Sequence, residues 1–522
     1  MARPSHETTK PGQTLPEQTL LDRVIAHFDP TRGVRRLQSR MQISAMGNYT
    51  GASKRKRTMS EWQTDGGSAN ADIPDLQALR DRSVDLARNS PIAVGAIATV
   101  TQRVIGTGLA FQPSPDYALL GMTEDAAGEW AEKARAEFDR WAESTEADAS
   151  RASDFYGVQA LAYRSSKVSG DVFALLKMID DPRRICSLAV QLIEADRVMN
   201  PKGQRDTERF AGGIESDERG RPIRVHIARR HPGALGVYGQ IETDAIAVFG
   251  AQTGRRNVLH VIDMQRPGQS RGVPYLAPII EPIKQISRYT EAEIAAAVMS
   301  SFFTVFVKTP TGEELNPMGS ALSPNVDAGK SGKAWDGQLS SGLVVNLAEG
   351  ESIESAIANR PNPAFGDFML AVYREIAVSL SIPLEVLLKH FQSSYSAARA
   401  ALLDLWIYVT TERARFVTQF CQPIAEALLE EAVARGRLAA PGFLADPRVR
   451  AAWCRGYWVG DGPGSIDPTK EADAAQMRVD GGFSTLERET MLLNGSNWHD
   501  NQRQRAREQA ARRKLGLEET KP

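Results

Sequence analysis

Residues 260–308 read HVIDMQRPGQSRGVPYLAPIIEPIKQISRYTEAEIAAAVMSSFFTVFVK, and the architecture turns on this stretch. A short apolar strand runs into a turn rich in Pro, Gly and Arg, and an uninterrupted helical pattern follows. Between Ile279 and Phe302 the single proline, Pro282, falls in the first turn, where a missing N–H costs little. About 24 helical residues make a rod of about 36 Å. Ala295, Ala296 and Ala297 leave part of it without bulk, which suits close approach of another helix. The sequence then passes into a β-branched and aromatic strand, Phe302 to Val307. A straight rod between two β-rich regions reads as a strut, not as part of an enzyme core.

The whole chain of 522 residues is too long for one core, since single cores stop growing at about 250–300 residues. Apolar content of 42% and charged content of 24% suit a globular protein. No run of 18 uncharged apolar residues exists, so no membrane partner is expected, and the N-terminal residues lack a signal-peptide pattern. The three cysteines, Cys186, Cys421 and Cys454, are odd in number and widely spaced, which argues for a reducing compartment and against a zinc site or a disulfide framework. A formal charge of −1 excludes a generally basic nucleic-acid binder. The charge is uneven, however. Residues 1–70 hold eleven Lys/Arg against six Asp/Glu, and residues 308–362 hold four against seven. The run Lys54-Arg55-Lys56-Arg57 reads as a solvated arm.

In chain order, residues 1–74 read as a flexible arm with one short amphipathic piece near Leu20 to Phe28. Helical spacing covers Asp75 to Asn89. Ser90-Pro91 then caps a helix, apolar almost all round, that runs to about Ile105. Helices follow at Glu124 to Glu143 and Asp154 to Val168, and strands at Asp171 to Met178, Leu188 to Ile193, Ile223 to Ala228 and Asn257 to Ile262. This is an α+β pattern. Beyond the rod, residues 309–361 form a small insertion with strands expected at Gly342 to Leu347 and Ser352 to Ile357. A second rod, from Asn362-Pro363 to about Leu380, returns from it. A helical turn at Leu384 to Leu388 and a polar loop through Lys389, His390, Phe391, Gln392, Ser393, Ser394 and Tyr395 come next. A very long helix, Ser396 to about Ala434, should kink at Pro423 and stop at Gly436. In the tail, Asp467-Pro468 and a capping box at Ser484 to Glu487 start helices, and the last, about Trp498 to Leu515, carries Arg503, Arg505, Arg507, Arg512 and Arg513.

Several short motifs suggest chemistry and fail on their flanks. Gly268-Gln269-Ser270-Arg271-Gly272 matches G-x-S-x-G, but Arg266-Pro267 before it and Val273-Pro274 after it cannot supply the strand and helix of a nucleophile elbow. Gly329-Lys330-Ser331 resembles the end of a P-loop, yet its first glycine position is Pro324. Gly460-x-Gly462-x-Gly464 contains Pro463 and follows no convincing strand. His226 and His231 lack a carboxylate or Cys at ligand spacing, and Glu215, Asp217 and Glu218 read as solvated surface. No catalytic residue, metal site or cofactor is expected.

Taken in order, His260, Arg266-Pro267-Gly268-Gln269, Arg271-Gly272-Val273-Pro274 and Leu276-Ala277-Pro278 resemble the signature of phage portal proteins of the lambda type. Ile382-Pro383-Leu384-Glu385, Ser393-Ser394-Tyr395-Ser396 and Asp467-Pro468-x-Lys470-Glu471 extend the match, which spans about 75–515. The resemblance implies a portal-type α+β fold. Its parts would be a mixed α/β wing (75–276), a two-helix stem (277–308 and 362–383), a small α/β clip (309–361), a tunnel loop (384–395), a long kinked wing helix (396–436) and a helical C-terminal crown (437–522). It also implies a homo-oligomeric ring, typically of twelve copies, at one capsid vertex of a virion assembled in the host cytoplasm. Through it double-stranded DNA is packaged and later ejected. The implied partners are the terminase large subunit, the major capsid protein and scaffold, and neck or head-completion proteins. Lys389, His390, Gln392, Ser393 and Ser394 would border the DNA path. A near-neutral chain suits that role, because a strongly basic lining would stall the passing polyanion. Against it stand a hydrolase using Ser270, a nucleotide-dependent enzyme using Lys330, and another ring-forming head–tail adaptor; the missing flanks, the length and the two-rod insertion favour the portal.

Overall fold

The computed structural model describes residues 25–35 other than 26 and 33, 66–301 other than 237 and 238, strands at 305–308 and 352–355, and 364–517 other than 393, 465 and 466. The chain divides into two units, Met1–Ser68 and Ala69–Pro522. In the first, Asp29 caps a short helical stretch by accepting from the Thr31 and Arg32 N–H groups, each at 3.1 Å. Most of the expected arm and of the 309–361 insertion, including the strand at Gly342 to Leu347 and the Gly329-Lys330-Ser331 motif, lies outside the described residues.

In the second unit, cap chemistry sets most helix starts. Helix α1 (Ile73–Asn89) ends at Ser90, whose hydroxyl accepts from the Ala93 N–H and opens α2 (Pro91–Val104). Strand β1 (Ala110–Pro113) and the single turn α3 (Tyr117–Leu120) precede α4 (Glu124–Ala142), capped by Thr123, and α5 (Phe155–Ser169), capped by Asp154. Strands β2 (Asp171–Met178) and β3 (Leu188–Glu194) follow, then β4 (Phe210–Ala211), β5 (Ile214–Ser216), β6 (Pro222–Ala228), β7 (Thr243–Ala247) and β8 (Val258–Ile262). They form two antiparallel sheets, ordered β3-β2-β8 and β4-β5-β6-β7.

Strand β2 explains why its sequence, DVFALLKM, is apolar without alternation. Val172, Ala174 and Leu176 face the main core, while Phe173 and Leu175 face a second cluster with Ile193, Ile214, Val225 and Ile227. A strand covered on both faces has no polar side to write into the sequence.

A 3₁₀ turn, Ala277–Ile279, leads into helix α6 (Ile280–Ser301), the expected rod. Strand β9 (Val305–Lys308) pairs antiparallel with β10 (Ser352–Ser355), from Val305 opposite Ser355 to Lys308 opposite Ser352, and α7 (Phe365–Ser379) comes after. Tyr289 of α6 packs its ring 5.4 Å from Phe365 and 5.2 Å from Phe368 of α7. Helix α8 (Leu384–Leu388) has the expected bounds, and the polar loop leads to α9 (Tyr395–Phe416).

The long helix departs from expectation in one respect. The disturbance is a π-helical turn, Val417–Cys421, just before Pro423, after which α10 (Gln422–Ala434) resumes. The Gln422 N–H bonds to the Val417 carbonyl, five residues back, so the wider turn accommodates the proline ring ahead of it. Gly436, with φ +71°, ends the run.

The tail is not wholly helical. After α11 (Pro447–Trp453), strand β11 (Gly456–Val459) pairs antiparallel with β1, Ala110 opposite Val459. Helices α12 (Pro468–Asp480), α13 (Leu486–Asn494) and α14 (Trp498–Lys514) follow. Asp467 caps α12 as expected, but α13 is capped by Thr485, which accepts from the Arg488 N–H at 3.2 Å, and not by Ser484. No helix among the described residues is long and apolar enough to cross a membrane.

Candidate functional site: the signature elbow and the polar loop

The signature stretch folds around one guanidinium. Arg271, 3% exposed, donates from Nε and Nη2 to the two carboxylate oxygens of Asp171, at 2.7 and 3.1 Å. Its remaining N–H groups go to the carbonyls of Val198 (2.7 Å), Gly212 (2.9 Å) and Ala195 (2.7 Å). All five donors of the fork are therefore used, with planar bidentate geometry toward the acid. Asp171, the buried first residue of β2, also accepts from the Gly272 N–H at 3.0 Å, from His260 Nε2 at 3.2 Å and from Arg80 Nη2 at 3.4 Å. Burial alone would raise its carboxyl, but Arg271, His260 and Arg80 overcome it and hold the group well below the carboxylate range. Burial lowers His260 despite its bond to Asp171, so its ring is neutral at pH 7; it stacks on Phe173 at 4.2 Å. Arg80, lowered by burial to about 10, keeps its charge.

Gly272 and Pro274 are buried where the chain crosses the end of α5. A Cβ at Gly272 would stand 2.0 Å from the Gly170 carbonyl oxygen, and a Cβ at Gly170 would stand 2.3 Å from that of Gly272. Only paired glycines allow this crossing. Gln269 ties the turn together. Its Oε1 accepts from the Gln265 and Arg266 N–H groups, and its Nε2 donates to the Arg271 carbonyl at 2.8 Å. Gly268 sits at φ +81°, and Arg266, Pro267 and Gly268 form the exposed tip. The Ser270 backbone N–H is held by Asn70 at 2.8 Å, and no base is hydrogen-bonded to its hydroxyl among the described residues.

The elbow continues into a second buried polar group. Lys167 Nζ lies 2.6 Å from Glu412, which also accepts from Tyr163 at 2.9 Å and from Arg415 at 2.6 Å. The rings of Tyr163, Tyr275 and Tyr408 surround the Lys167 ammonium at 5.3, 5.0 and 5.9 Å. Burial lowers the Lys167 ammonium, and Glu412 opposes that shift. The Tyr275 hydroxyl donates to the carbonyl of Leu380, in the turn between α7 and α8. One connected set of bonds thus joins the elbow, α5, α9 and the turn that leads to the polar loop.

The polar loop is exposed throughout its described residues, and the structure does not bring it together with the elbow tip. Lys389 takes a left-handed conformation, φ +52°, as the C-cap of α8. The N–H groups of Lys389 and His390 both reach the carbonyl of Glu385. Gln392 is exposed to solvent, Phe391 is 62% exposed, and Ser394 caps α9 by accepting from the Ala397 N–H at 3.4 Å. Ser393 lies outside the described residues.

The structure corrects two expectations about short motifs. Gly460 does follow a strand, β11, but that strand pairs antiparallel with β1 and opens no βαβ unit. Gly460 and Gly462 are there for packing, since a Cβ would stand 2.6 Å from Leu109 and 2.7 Å from the Leu492 carbonyl respectively. His226 does have a carboxylate beside it: the β5–β6 pairing puts Glu215 at 2.7 Å, so Glu215 is not simply solvated surface. Asp217 accepts from the backbone of Arg219 and Arg221 as a turn cap, and Glu218 pairs with Arg209. No cluster of three or more metal-ligating side chains occurs among the described residues.

Asp171, Arg80, Lys167 and Glu412 do not stand out in the sequence. A signal exists for two of them: Arg80 interrupts the buried stripe Leu76, Ser83, Ala87 of α1, and Asp171 opens an otherwise apolar strand.

The chain resembles known proteins over most of its length. It is 24% identical to the portal protein of Escherichia phage N15 over 495 residues, covering 87% of this chain and 88% of that one. It is 22% identical to portal protein B of Escherichia phage lambda, covering 90% and 91%. Among solved structures, a chain in the neck of an empty gene transfer agent particle aligns with a TM-score of 0.44 at 11% identity, covering 79% of this chain and 94% of that one. The family model for phage portal proteins of the lambda family matches residues 55–413, a span that holds the elbow, α6, α7 and the polar loop, and the chain belongs to that family.

Proposed function

We propose that this chain assembles head-to-tail into a closed ring, typically of twelve copies, at one vertex of a phage capsid. Double-stranded DNA is packaged through the ring by the terminase motor and later leaves through it toward neck proteins. The family match across 55–413 carries this reading. Surface chemistry supports it. Val378 of α7 is 80% exposed, Ile407 of α9 is 67% exposed, and Ile294 of α6 and Leu403 of α9 are more than half exposed. Four large aliphatic side chains on three long helices are what a heterologous contact between copies would cover, and such contacts close into rings when the rotation allows. On the same reading α6 and α7 are the stem, the 309–361 insertion the clip, and the body around β2 the wing.

The role is mechanical, not catalytic. The buried Arg271–Asp171 and Lys167–Glu412 groups are used up in holding elements together. The loop at 389–394 borders the DNA path with one lysine and neutral polar groups, a contact that can slide. Negative-stain images and native mass of the purified chain test the ring: a monomer under all conditions refutes it. A Lys389→Glu, Gln392→Ala variant tests the loop in a packaging assay, and unchanged packaging and DNA retention would sink that assignment.

A further inference from the structure

The last helix is unlike the rest of the chain in composition. Helix α14 carries Arg503, Arg505, Arg507, Arg512, Arg513 and Lys514 against two carboxylates, Asp500 and Glu508, in a protein of net charge −1. None of its residues is buried. One face is fixed to the body: Arg503 pairs with Glu132 of α4, and Asp500 lies 2.5 Å from Arg135 of the same helix. Arg505 and Arg512, seven residues apart, lie on the opposite face, two turns and about 10.5 Å apart along the axis. Among the described residues Arg505, Arg507, Arg512 and Lys514 make no ion pair.

We propose that α14 is a binding surface for the phosphates of double-stranded DNA. The proposal rests on the portal reading for the presence of DNA, and adds a holding contact on this helix to the sliding contact of the polar loop. Uncompensated guanidinium groups on a rigid exposed helix meet the requirement for sequence-independent phosphate binding. A protein partner fits less well. Between Trp498 and Leu515 the helix presents no apolar side chain larger than Ala, and protein interfaces are depleted of charge and built on apolar anchors at their centre. The division of labour has a physical basis: a channel contact must let phosphates slide, whereas a dense cationic helix retains them.

The test uses the full chain and a fluorescent duplex of about 30 base pairs and arbitrary sequence, long enough to offer several helical turns of phosphate, with binding followed over a range of salt concentrations. In the R505A/R512A variant the log–log salt slope should fall by about 2, at about 0.9 for each phosphate no longer neutralised, with equal weakening on unrelated sequences. No packing is removed, so thermal stability should not change. A control variant at two exposed arginines away from both the helix and the loop, R205A/R219A, should keep the wild-type slope. An unchanged slope in the helix variant, or an equal loss of slope in the control variant, overturns the proposal. Equal displacement by poly-glutamate at matched charge overturns it in favour of an acidic protein partner. Native mass on the same samples separates the two readings: rings that form in the helix variant but hold no DNA support both, while a wild-type chain that binds duplex as a monomer sinks the ring and leaves the helix assignment standing.

Discussion

Replacing Arg271 by alanine should be among the most damaging single changes in the chain, and the structure sets the size of the effect. The substitution removes five hydrogen bonds and leaves the fully buried Asp171 carboxylate with Arg80 and His260 as its remaining side-chain partners. Breaking a buried pair from one side costs about 3–5 kcal/mol. The carbonyls of Val198, Gly212 and Ala195 lose their donor as well, at about 1–3 kcal/mol for each one that water cannot reach. A total of about 4 kcal/mol or more is expected. Arg271→Lys should recover only part of it, since an ammonium keeps the charge but cannot reproduce a planar five-donor fork. Guanidinium unfolding of the full chain, followed by tryptophan fluorescence, measures both variants. The same substitution made in an Asp171→Asn background should cost distinctly less, because the pair is already broken. A loss below about 1 kcal/mol, or equal losses in the two backgrounds, would refute the claim that the ion pair organises the elbow.

Two further outcomes follow from the same cluster. His260 is lowered from 6.5 and Asp171 from 3.8, so the unfolded chain binds more protons than the folded one on acidification. Stability should therefore fall first as pH drops below about 6.5 and again below about 4; unfolding midpoints from about pH 8 to about pH 3 show this, and His260→Phe should flatten the first phase only. Gly272→Ala forces a Cβ against the Gly170 carbonyl and should cost about 1–3 kcal/mol, whereas Gly268→Ala, in open space at φ +81°, should cost about 1 kcal/mol; paired thermal melts rank them.

The long elements of this fold are legible in the sequence because their signals are local. Ser90, Thr123, Asp154 and Asp467 announce their helices through side chains that bond three residues ahead. The two rods and the α8 turn are likewise written in periodicity and proline placement. Strands β1 and β11 are not, because each has four residues and its partner lies nearly 350 positions away. Strands β4 and β5 are too short for a period, and β7, TDAIA, is half polar. The elbow is half legible for the same reason. Arg266 to Pro274 stand together in the sequence, but Arg80 and Asp171 reach Arg271 only through tertiary folding, and Lys167 meets Glu412 across 245 positions.

The π-turn at Val417–Cys421 also has a consequence for phase. Each helical residue advances about 100° around the axis, so one residue in excess of α-helical winding turns every later side chain by that amount. Upstream, α9 leaves Leu403 and Ile407 to solvent; downstream, Ile424, Leu428 and Ala432 of α10 are buried. The turn works as a phase shifter between the buried stripe of α9, Leu405, Val409, Glu412 and Phe416, and that of α10. Plain α-helical winding over the same number of residues would swing the apolar stripe of α10 by about 100°, away from the body it is packed into, whereas loss of a single codon within the turn would restore regular winding and leave that stripe in place.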